Sequence, residues 1–457
     1  MKVNTLHTEY TNNRHKWDRM RDVIAGRDAL TSRDMQTTGG MYVKQLTNQT
    51  PNEYRAYSNR ASFFGATSRT VDALVGMMFS KPLELELPAA LQQYMDDITQ
   101  TGQSLHEFAT LLAYEEVSVT RVGVMVDYPA LDTSTLTRAE AESLGVRPYL
   151  RMYKAETIIN WKTTTINGRE VISQVVLAES VEVEKNEFQT ESKAQYRVLD
   201  LFDGAYRQRV FSDTGDVVSE TFPRMNGQVM REIPFYVVGG LGVRKPLLLD
   251  LADLNIDHYR NSADYEHGLH FVGLPTPVVS GVQLDQNVKL QIGSTSAWVF
   301  SNPDAKASFL EFTGQGLGSI KEAMTDKEQR MAALGAKMLY DNKKAAESTE
   351  TVSIKTAGER SILASTAKDI SDTMTKALQT MANWLGANGL VDYSINTDYE
   401  SGKLDPTMIR ELVAAYNNDV ITLNTLLQNL QRGEIIGDRE NLDDYAEALT
   451  QTASRLE

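Results

Sequence analysis

A glycine-rich segment is the first candidate for chemistry. Residues 314–319 read GQGLGS, follow a strand-like segment from Ala307 to Phe312 and precede a helical pattern, which is the context of a phosphate-binding turn. A dinucleotide-binding fingerprint requires glycine or alanine where Ser319 stands, and no strand–helix–strand unit surrounds the segment. A Walker loop requires Gly-Lys-Ser/Thr, which occurs nowhere in the chain. We therefore interpret the segment as a flexible hinge before a helix.

A second motif matches the Ser-x-x-Lys pattern of serine acyl-transfer enzymes. It consists of Ser365 and Lys368, with Ser-Asp-Thr at 371–373 and Lys-Thr-Ala-Gly at 355–358 nearby. The order of the three motifs differs from that of those enzymes, and all three fall within one helical segment. Chance explains the match better than a nucleophilic site does.

The histidines offer a third possibility. His267 and His270 are three residues apart, with Asp264 and Glu266 close by, so a carboxylate–histidine metal site is conceivable. Neither His-Glu-x-x-His nor another strong ligand spacing is present, and a hydrated polar face is the preferred interpretation. No nucleophile–base–acid set can be assembled. We therefore expect no catalytic residues, no metal and no cofactor.

Composition sets the remaining limits. The chain has 457 residues, a net charge of −15 and no cysteine, which excludes disulfides, cysteine nucleophiles and thiolate metal sites. No apolar run approaches the roughly 18 residues of a membrane span, and the first residues lack an apolar signal core. We expect a soluble, non-secreted protein. Such acidity argues against broad binding of a phosphate backbone, although the protein could surround DNA without holding it.

The elements that must position these residues centre on 316–387. Two helical patterns are joined by a polar break at 341–351 that has no large apolar residue. The apolar positions recur every three or four residues and so share one helix face. In the first helix they are Ile320, Met324, Met331, Leu334 and Met338, and in the second Leu363, Ala367, Ile370, Met374, Ala377, Met381 and Trp384.

Around this centre the sequence predicts an α+β chain, mostly helical, with an inserted β-rich module at 122–240. That module contains a hairpin turning at Asp203-Gly204. Helices are predicted over 88–100 and 102–117, and another over 244–270 with Pro246 in its first turn. A compact strand-and-turn segment follows at 278–312, and the tail, 403–457, is predicted to be helical.

An acidic stripe lies on the predicted helix 244–270. Its members recur at spacings of 3, 4 and 7 residues and are Asp250, Asp253, Asp257 and Asp264. Four aspartates in one line repel one another. This face must therefore be solvated or lie against something.

Several segments together resemble the portal proteins of tailed bacteriophages, in particular a subgroup long catalogued as a domain of unknown function. The resemblance spans roughly residues 10–450, and the order and spacing of its motifs make it specific. These motifs are GVMVDYP at 123–129, RPYLRMYKAETIINW at 147–161, DLADLNIDHYRNSADY at 250–265, GLPTP at 273–277, ESTET at 347–351 and SILAS at 361–365.

The resemblance implies a ring, usually of twelve subunits, at one vertex of the capsid of a virion assembled in the host cytoplasm. Double-stranded DNA would pass through its channel during packaging and ejection. The implied partners are further copies of the chain, the terminase large subunit, a head–tail adaptor and the major capsid protein, with no membrane. Packaging energy would come from the separate terminase ATPase.

The resemblance also implies a division of the chain. The wing would be 1–243, with its β-rich module at 122–240, and two stem helices at 244–272 and 316–340 would enclose a small α/β clip at 273–315. The tunnel loop would be 341–352, the long wing helix and its return 353–400, and the helical crown 401–457.

These assignments suggest which residues face DNA. In the tunnel loop they would be Asp341, Asn342, Lys343, Lys344 and Glu347. The aspartate stripe would either line the channel and repel phosphate or face outside solvent, and the sequence leaves both open. A competing hypothesis for the whole chain is a virion adaptor or scaffold subunit that never contacts DNA.

Overall fold

The computed structural model describes residues 2–129, 145–166, 168–273, 276–281, 302–310, 314–335, 349–387, 389–397, 399, 406–418, 420–432, 435–436, 442 and 445–446. The chain divides into two compact units, Met1–Thr397 and Asp398–Glu457. Helices and antiparallel sheets occur in separate stretches, so the fold is α+β, as the sequence predicts. No helix in the described part of the chain is long and apolar enough to cross a membrane.

The first 120 residues are largely helical. Trp17, Met20 and Val23 are fully buried between the basic residues of the first helix, so this helix is amphipathic. The elements are α1 (Thr8–Ala25), α2 (Arg27–Gln36), α3 (Pro51–Arg60), α4 (Ala66–Met78), β1 (Glu84–Glu86), α5 (Ala89–Gln92) and α6 (Leu105–Val119).

The helix predicted over 88–100 is wrong beyond its first turn. After α5 the chain bends, and Gln100 adopts a left-handed φ of 62°. The side chain of Asp97 accepts hydrogen bonds from Gly102 N at 2.8 Å and from Arg147 Nη2 at 2.8 Å. These bonds hold the turn, and because Arg147 is 50 residues from Asp97, the local helical pattern could not predict its contribution.

Two sheets form the β-rich module. The smaller has the order β11-β2-β3 and consists of β2 (Val122–Asp127), β3 (Tyr149–Lys154) and β11 (Phe235–Val237). All six residues of β2 are buried. A Cβ at Gly123 would lie 2.4 Å from Phe235 Cζ, so only glycine allows this close approach of strand and ring.

The larger sheet is an antiparallel meander. It consists of β4 (Ile158–Ile166), β5 (Arg169–Asn186), β6 (Gln189–Phe202), β7 (Ala205–Ser212) and β8 (Val217–Thr221), and the short hairpin β9 (Arg224–Met225) and β10 (Gln228–Val229) follows. The predicted turn at Asp203-Gly204 is confirmed, and both residues have positive φ, 51° and 74°. This geometry matches the twist of the two strands it joins.

A helical hairpin follows the sheets. It consists of α7 (Leu249–Gly273), the strands β12 (Thr276–Ser280) and β13 (Lys306–Leu310), and α8 (Gln315–Leu334). Its helices are antiparallel, because Leu317 lies against Gly268, Glu328 against His258, and Gly335 near Leu251. Helix α7 begins later than the predicted residue 244. Leu247 N donates instead to Thr120 Oγ1, and Pro246 lies before the helix.

The second predicted helix of the central stretch is confirmed as α9 (Thr349–Trp384). All seven of its predicted apolar positions are buried, from Leu363 to Trp384. In contrast, only Met331 is buried among the described apolar positions of α8, and Leu334 is 48% exposed. Strand β14 (Asp392–Ser394) follows α9 and pairs with β1.

The second unit contains α10 (Pro406–Asn417) and α11 (Leu423–Arg432). The helical tail predicted at 403–457 is therefore confirmed for the described residues of these two helices. Proline at the first position of α10 costs no hydrogen bond, because that N–H has no partner within a helix.

Candidate functional site

Two aspartates of the predicted stripe contact the N-terminal helices. Asp253 forms an ion pair with Arg19 at 2.6 Å, which joins α7 to α1. Asp264 Oδ1 accepts a hydrogen bond from the Tyr57 hydroxyl on α3. Burial, followed by that bond, raises the pKa of Tyr57 above its ordinary value. These two carboxylates therefore help to fix α7 against the helical part of the first unit.

The other two aspartates pair with residues just before or on α7 itself. Asp250 contacts Lys245 at 2.5 Å, and Asp257 contacts Arg260 at 2.8 Å. Both pairs are open to solvent, with side-chain exposures of 46% to 71%. Such exposed pairs contribute at most about 1 kcal/mol of stability, so these carboxylates remain available to face a solvent-filled channel or outside solvent.

The proposed DNA-facing residues of the polar break lie outside the described residues. They are Asp341, Asn342, Lys343, Lys344 and Glu347. The structure resumes at Thr349, where α9 begins, four residues before the predicted helix start at 353. Contact of this segment with DNA stays a prediction.

The histidines of α7 serve in packing. His258 is buried, and its Nε2 lies 3.0 Å from Glu328 Oε1, which joins α7 to α8. His267 packs edge-on against Tyr57 and Phe271. Burial, followed by the charge of Arg60, lowers the pKa of His267, so its imidazole is predominantly neutral at pH 7. Across the described ranges no three His, Asp or Glu side chains converge into a metal site.

The glycine-rich segment and the Ser-x-x-Lys motif lie at the start of α8 and on α9, respectively. Gly314 has a left-handed φ of 66° and precedes α8, while Gly316 and Gly318 lie within its first turn. Ser365 and Lys368 are exposed on α9. The neighbouring Ser371 has a structural role, because its hydroxyl donates to Ala367 O and accepts from Ile395 N.

An ionic cluster around the buried Glu116, not predicted from the sequence, contacts α9. Arg244 donates to Glu116 Oε1 at 2.7 Å and to Asp369 Oδ2 at 3.0 Å, and so joins α6, the segment before α7, and α9. Glu116 is 1% exposed, and its second oxygen has no hydrogen-bond partner. Burial raises the pKa of Glu116 to about 8, although Arg244 opposes the shift.

Arg121 lies near this cluster and is also buried. It donates to Leu241 O at 3.0 Å, and its guanidinium lies over the Trp161 ring at 4.1 Å. Burial lowers the pKa of Arg121 to about 10, since it disfavours the charged form. Isolated Glu and Arg residues in the sequence carry no periodicity or motif that could have identified this arrangement.

Comparisons with known proteins address the central stretch. Residues 246–385 match a family described as Domain of unknown function (DUF4055). This range begins just before α7 and ends just after α9, so it contains the helical hairpin and the ionic contact of Asp369. No curated protein matches the chain.

Two solved structures are similar to the chain. One is a chain of the virion of a native gene transfer agent particle, with 10% identity, a TM-score of 0.39, and coverage of 88% of this chain and 98% of that chain. The other is a chain of the neck of an empty gene transfer agent particle, with 10% identity, a TM-score of 0.40, and coverage of 80% of this chain and 90% of that chain.

Proposed function

We propose that the chain is the portal subunit of a tailed phage or phage-like particle. Copies of it form a ring at one capsid vertex, and double-stranded DNA enters and leaves through the channel of that ring. The ring contacts the terminase large subunit, a head–tail adaptor and the major capsid protein. The chain itself has a structural and guiding role without a catalytic site.

The observation that carries this proposal is the helical hairpin with its exposed apolar residues. Helices α7 and α8 run antiparallel and are joined through the two-stranded β12–β13 pair. Large apolar side chains cluster at this end of the hairpin and are 37% to 61% exposed: Leu269, Phe271, Val272, Val278, Phe309 and Leu310. Such contiguous exposure is typical of a surface that another chain covers.

The order of elements supports the same conclusion. A helical and β-rich part precedes α7, the strand pair lies between α7 and α8, and the long helix α9 follows. The resemblance implies this succession of wing, stem, clip, stem and wing helix. The DUF4055 match falls on the same stretch, and the resemblance is to a portal subgroup catalogued under such a name.

The charge of the chain suits a channel. With 46 basic and 61 acidic residues, the subunit carries a net charge of −15. Affinity for DNA derives largely from the counterions that Lys and Arg release, so an acidic wall lets a duplex slide. Asp250 and Asp257 are the members of the stripe that we propose for this wall, because their ion-pair partners, Lys245 and Arg260, lie just before or on α7 and not on α1 or α3.

Negative-stain electron microscopy and mass measurement of the purified chain test the proposal. We expect rings with a central hole and a mass near 600 kDa, about twelve times the 51.0 kDa of one chain. A monomer or dimer under every salt and protein concentration would contradict the ring. It would favour the adaptor or scaffold hypothesis instead.

A further inference from the structure

The longest strands of the meander extend beyond their neighbours. Pairing of β4 with β5 ends at Leu177, and pairing of β7 with β6 begins at Gln195, yet β5 and β6 stay paired with each other as far as Asn186 and Gln189. Residues 180–194 therefore form a two-stranded ribbon, and all of them are exposed. Nothing in the described part of the chain covers either edge of this ribbon.

The base of the ribbon is held firmly. Glu179 accepts hydrogen bonds from the Tyr153 hydroxyl at 2.6 Å and from Arg197 Nε at 2.7 Å. At about 3.3 Å per residue, the ribbon projects roughly 25 Å from this base. A two-stranded ribbon is only marginally stable alone in water. We therefore expect a ribbon of this length to pack against another surface.

The ribbon has an apolar tip and an acidic shaft. Phe188 at the tip is 87% exposed, the highest exposure among the large apolar side chains of the described residues. Val181 and Val183 are also exposed, on one face of β5. Four glutamates and two lysines make the ribbon acidic, and the glutamates are Glu182, Glu184, Glu187 and Glu191.

A groove of complementary character lies on the same sheet. Its volume is about 890 Å³, and Val176, Val198 and Phe211 form its apolar floor. Lys2 and Lys162, both exposed, lie at its rim, and Arg209 lines it while bonded to Asp200. Asp213 is the acidic residue of the lining. The groove therefore has an apolar floor and a positively charged rim, and the charge of this rim is opposite to that of the ribbon.

The ribbon of a chain cannot fill its own groove. Lys162 is paired with Gln174 on β5, and Phe188 lies 14 residues further along the continuous β5–β6 hairpin. At about 3.3 Å per residue, the two are separated by roughly 45 Å of extended strand. A ribbon that lies in this groove must therefore come from another copy of the chain.

We propose that the ribbon, residues 180–194, lies in this groove of a second copy of the chain, with Phe188 on the apolar floor and the glutamates beside Lys2 and Lys162. Each copy then offers a ribbon to one neighbour and a groove to the other. Such a head-to-tail contact closes into a ring when the rotation between neighbouring copies divides a full turn evenly. The inference rests on the proposed ring and specifies one contact that holds it.

Cysteine cross-linking tests this contact directly, because the chain has no cysteine of its own. The full-length double variant F188C/K162C is purified, oxidised and then analysed on a non-reducing gel. We expect a ladder of covalent multimers that disappears on reduction. The matched control F188C/E86C, whose second site is exposed on β1 and outside the groove, should give no species beyond a dimer.

Exchanging the charges of the ribbon and the groove gives an independent test of the contact, through its effect on assembly. K162E should raise the protein concentration needed for half-maximal assembly by about tenfold, since it opposes glutamates on the ribbon. Adding E182K/E184K to K162E should restore assembly to within about threefold of wild type. Both sites are exposed, so neither change disturbs the core, and circular dichroism verifies folding.

The outcomes separate the two proposals. If wild type forms no ring by electron microscopy, the ring proposal fails, and this contact fails with it. If rings form but the F188C/K162C variant gives no ladder, the ribbon contact alone is wrong. Cross-linking of Phe188→Cys to a different protein in assembled particles would likewise overturn it.

Discussion

Single residues decide how this fold responds to pH, and Glu116 is the clearest case. Its carboxyl is buried among Arg244, Asp369 and Arg121, and only one of its oxygens is hydrogen-bonded. Desolvation by burial raises its pKa from 4.5 to about 8, and the nearby arginines reduce but do not cancel the shift. The folded protein therefore binds a proton here that the unfolded chain releases at neutral pH.

This difference in proton binding determines whether the stability of the fold rises or falls with pH. The stability that Glu116 contributes is fully present below pH 4.5 and is lost as the pH rises through about 8. We expect the substitution Glu116→Gln to remove this loss, because the amide cannot ionise. Between pH 5 and 9 the free energy of unfolding of wild type should fall relative to that of the variant by roughly 2–5 kcal/mol.

Urea unfolding at several pH values measures this difference. Glu86→Gln, at an exposed site on β1, is the control and should follow the wild-type pH profile. Parallel profiles for wild type and Glu116→Gln would show that the buried carboxyl is ionised throughout this range.

Among the elements, α9 shows what the spacing of apolar residues can predict. Its apolar residues recur every three or four positions, and every predicted position is buried. The buried face of a helix can be predicted from the sequence of that helix alone, because it requires only apolar residues at a helical spacing.

Elements fixed by distant partners were harder to predict. The turn after α5 depends on Arg147 bonding to Asp97, and the late start of α7 on Leu247 bonding to Thr120. Spacing identified the aspartate stripe, yet not its partners, because Arg19 is 234 residues from Asp253. The ribbon likewise arises from where β4 and β7 stop pairing, which the sequence of β5 does not encode.

Close packing of α7 on α8 gives a prediction at this scale. A Cβ at Gly268 would lie 2.5 Å from Leu317 Cδ2, whereas a Cβ at Gly316 would meet nothing within 4 Å. We expect Gly268→Leu to lower the free energy of unfolding by about 1–3 kcal/mol through overpacking. Gly316→Leu should be neutral or stabilise by up to about 1 kcal/mol, because it improves helix propensity.

The two leucine variants are a matched pair on the same helical hairpin. Urea-unfolding midpoints of both proteins, measured side by side, provide the comparison. Equal midpoints would mean that the contact between Gly268 and Leu317 does not limit how closely the helices pack.

For the whole molecule, with its net charge of −15, a pair of adjacent lysines in the proposed tunnel loop gives a test of the channel hypothesis. Lys343 and Lys344 are adjacent in the proposed tunnel loop. We expect the variant Lys343→Glu/Lys344→Glu to reduce packaged DNA about tenfold, since two transient phosphate contacts become repulsive in every subunit. Packaged DNA per particle, in a complementation assay, measures the effect.

The charge-conserving variant Lys343→Arg/Lys344→Arg is the control and should package normally. Ring assembly of both variants is verified first by electron microscopy. Normal packaging by the glutamate variant, with intact rings, would show that these lysines do not act on DNA.

The paired contacts of α7 and α8 also restrict how the length of this protein can vary. An inserted residue in either helix would rotate everything beyond it by about 100° and move Leu317 away from Gly268 or Glu328 away from His258. Between the two helices, the described residues 276–281 and 302–310 take no part in these contacts. Insertions and deletions among related proteins should therefore concentrate there, while the two helices keep a fixed number of residues.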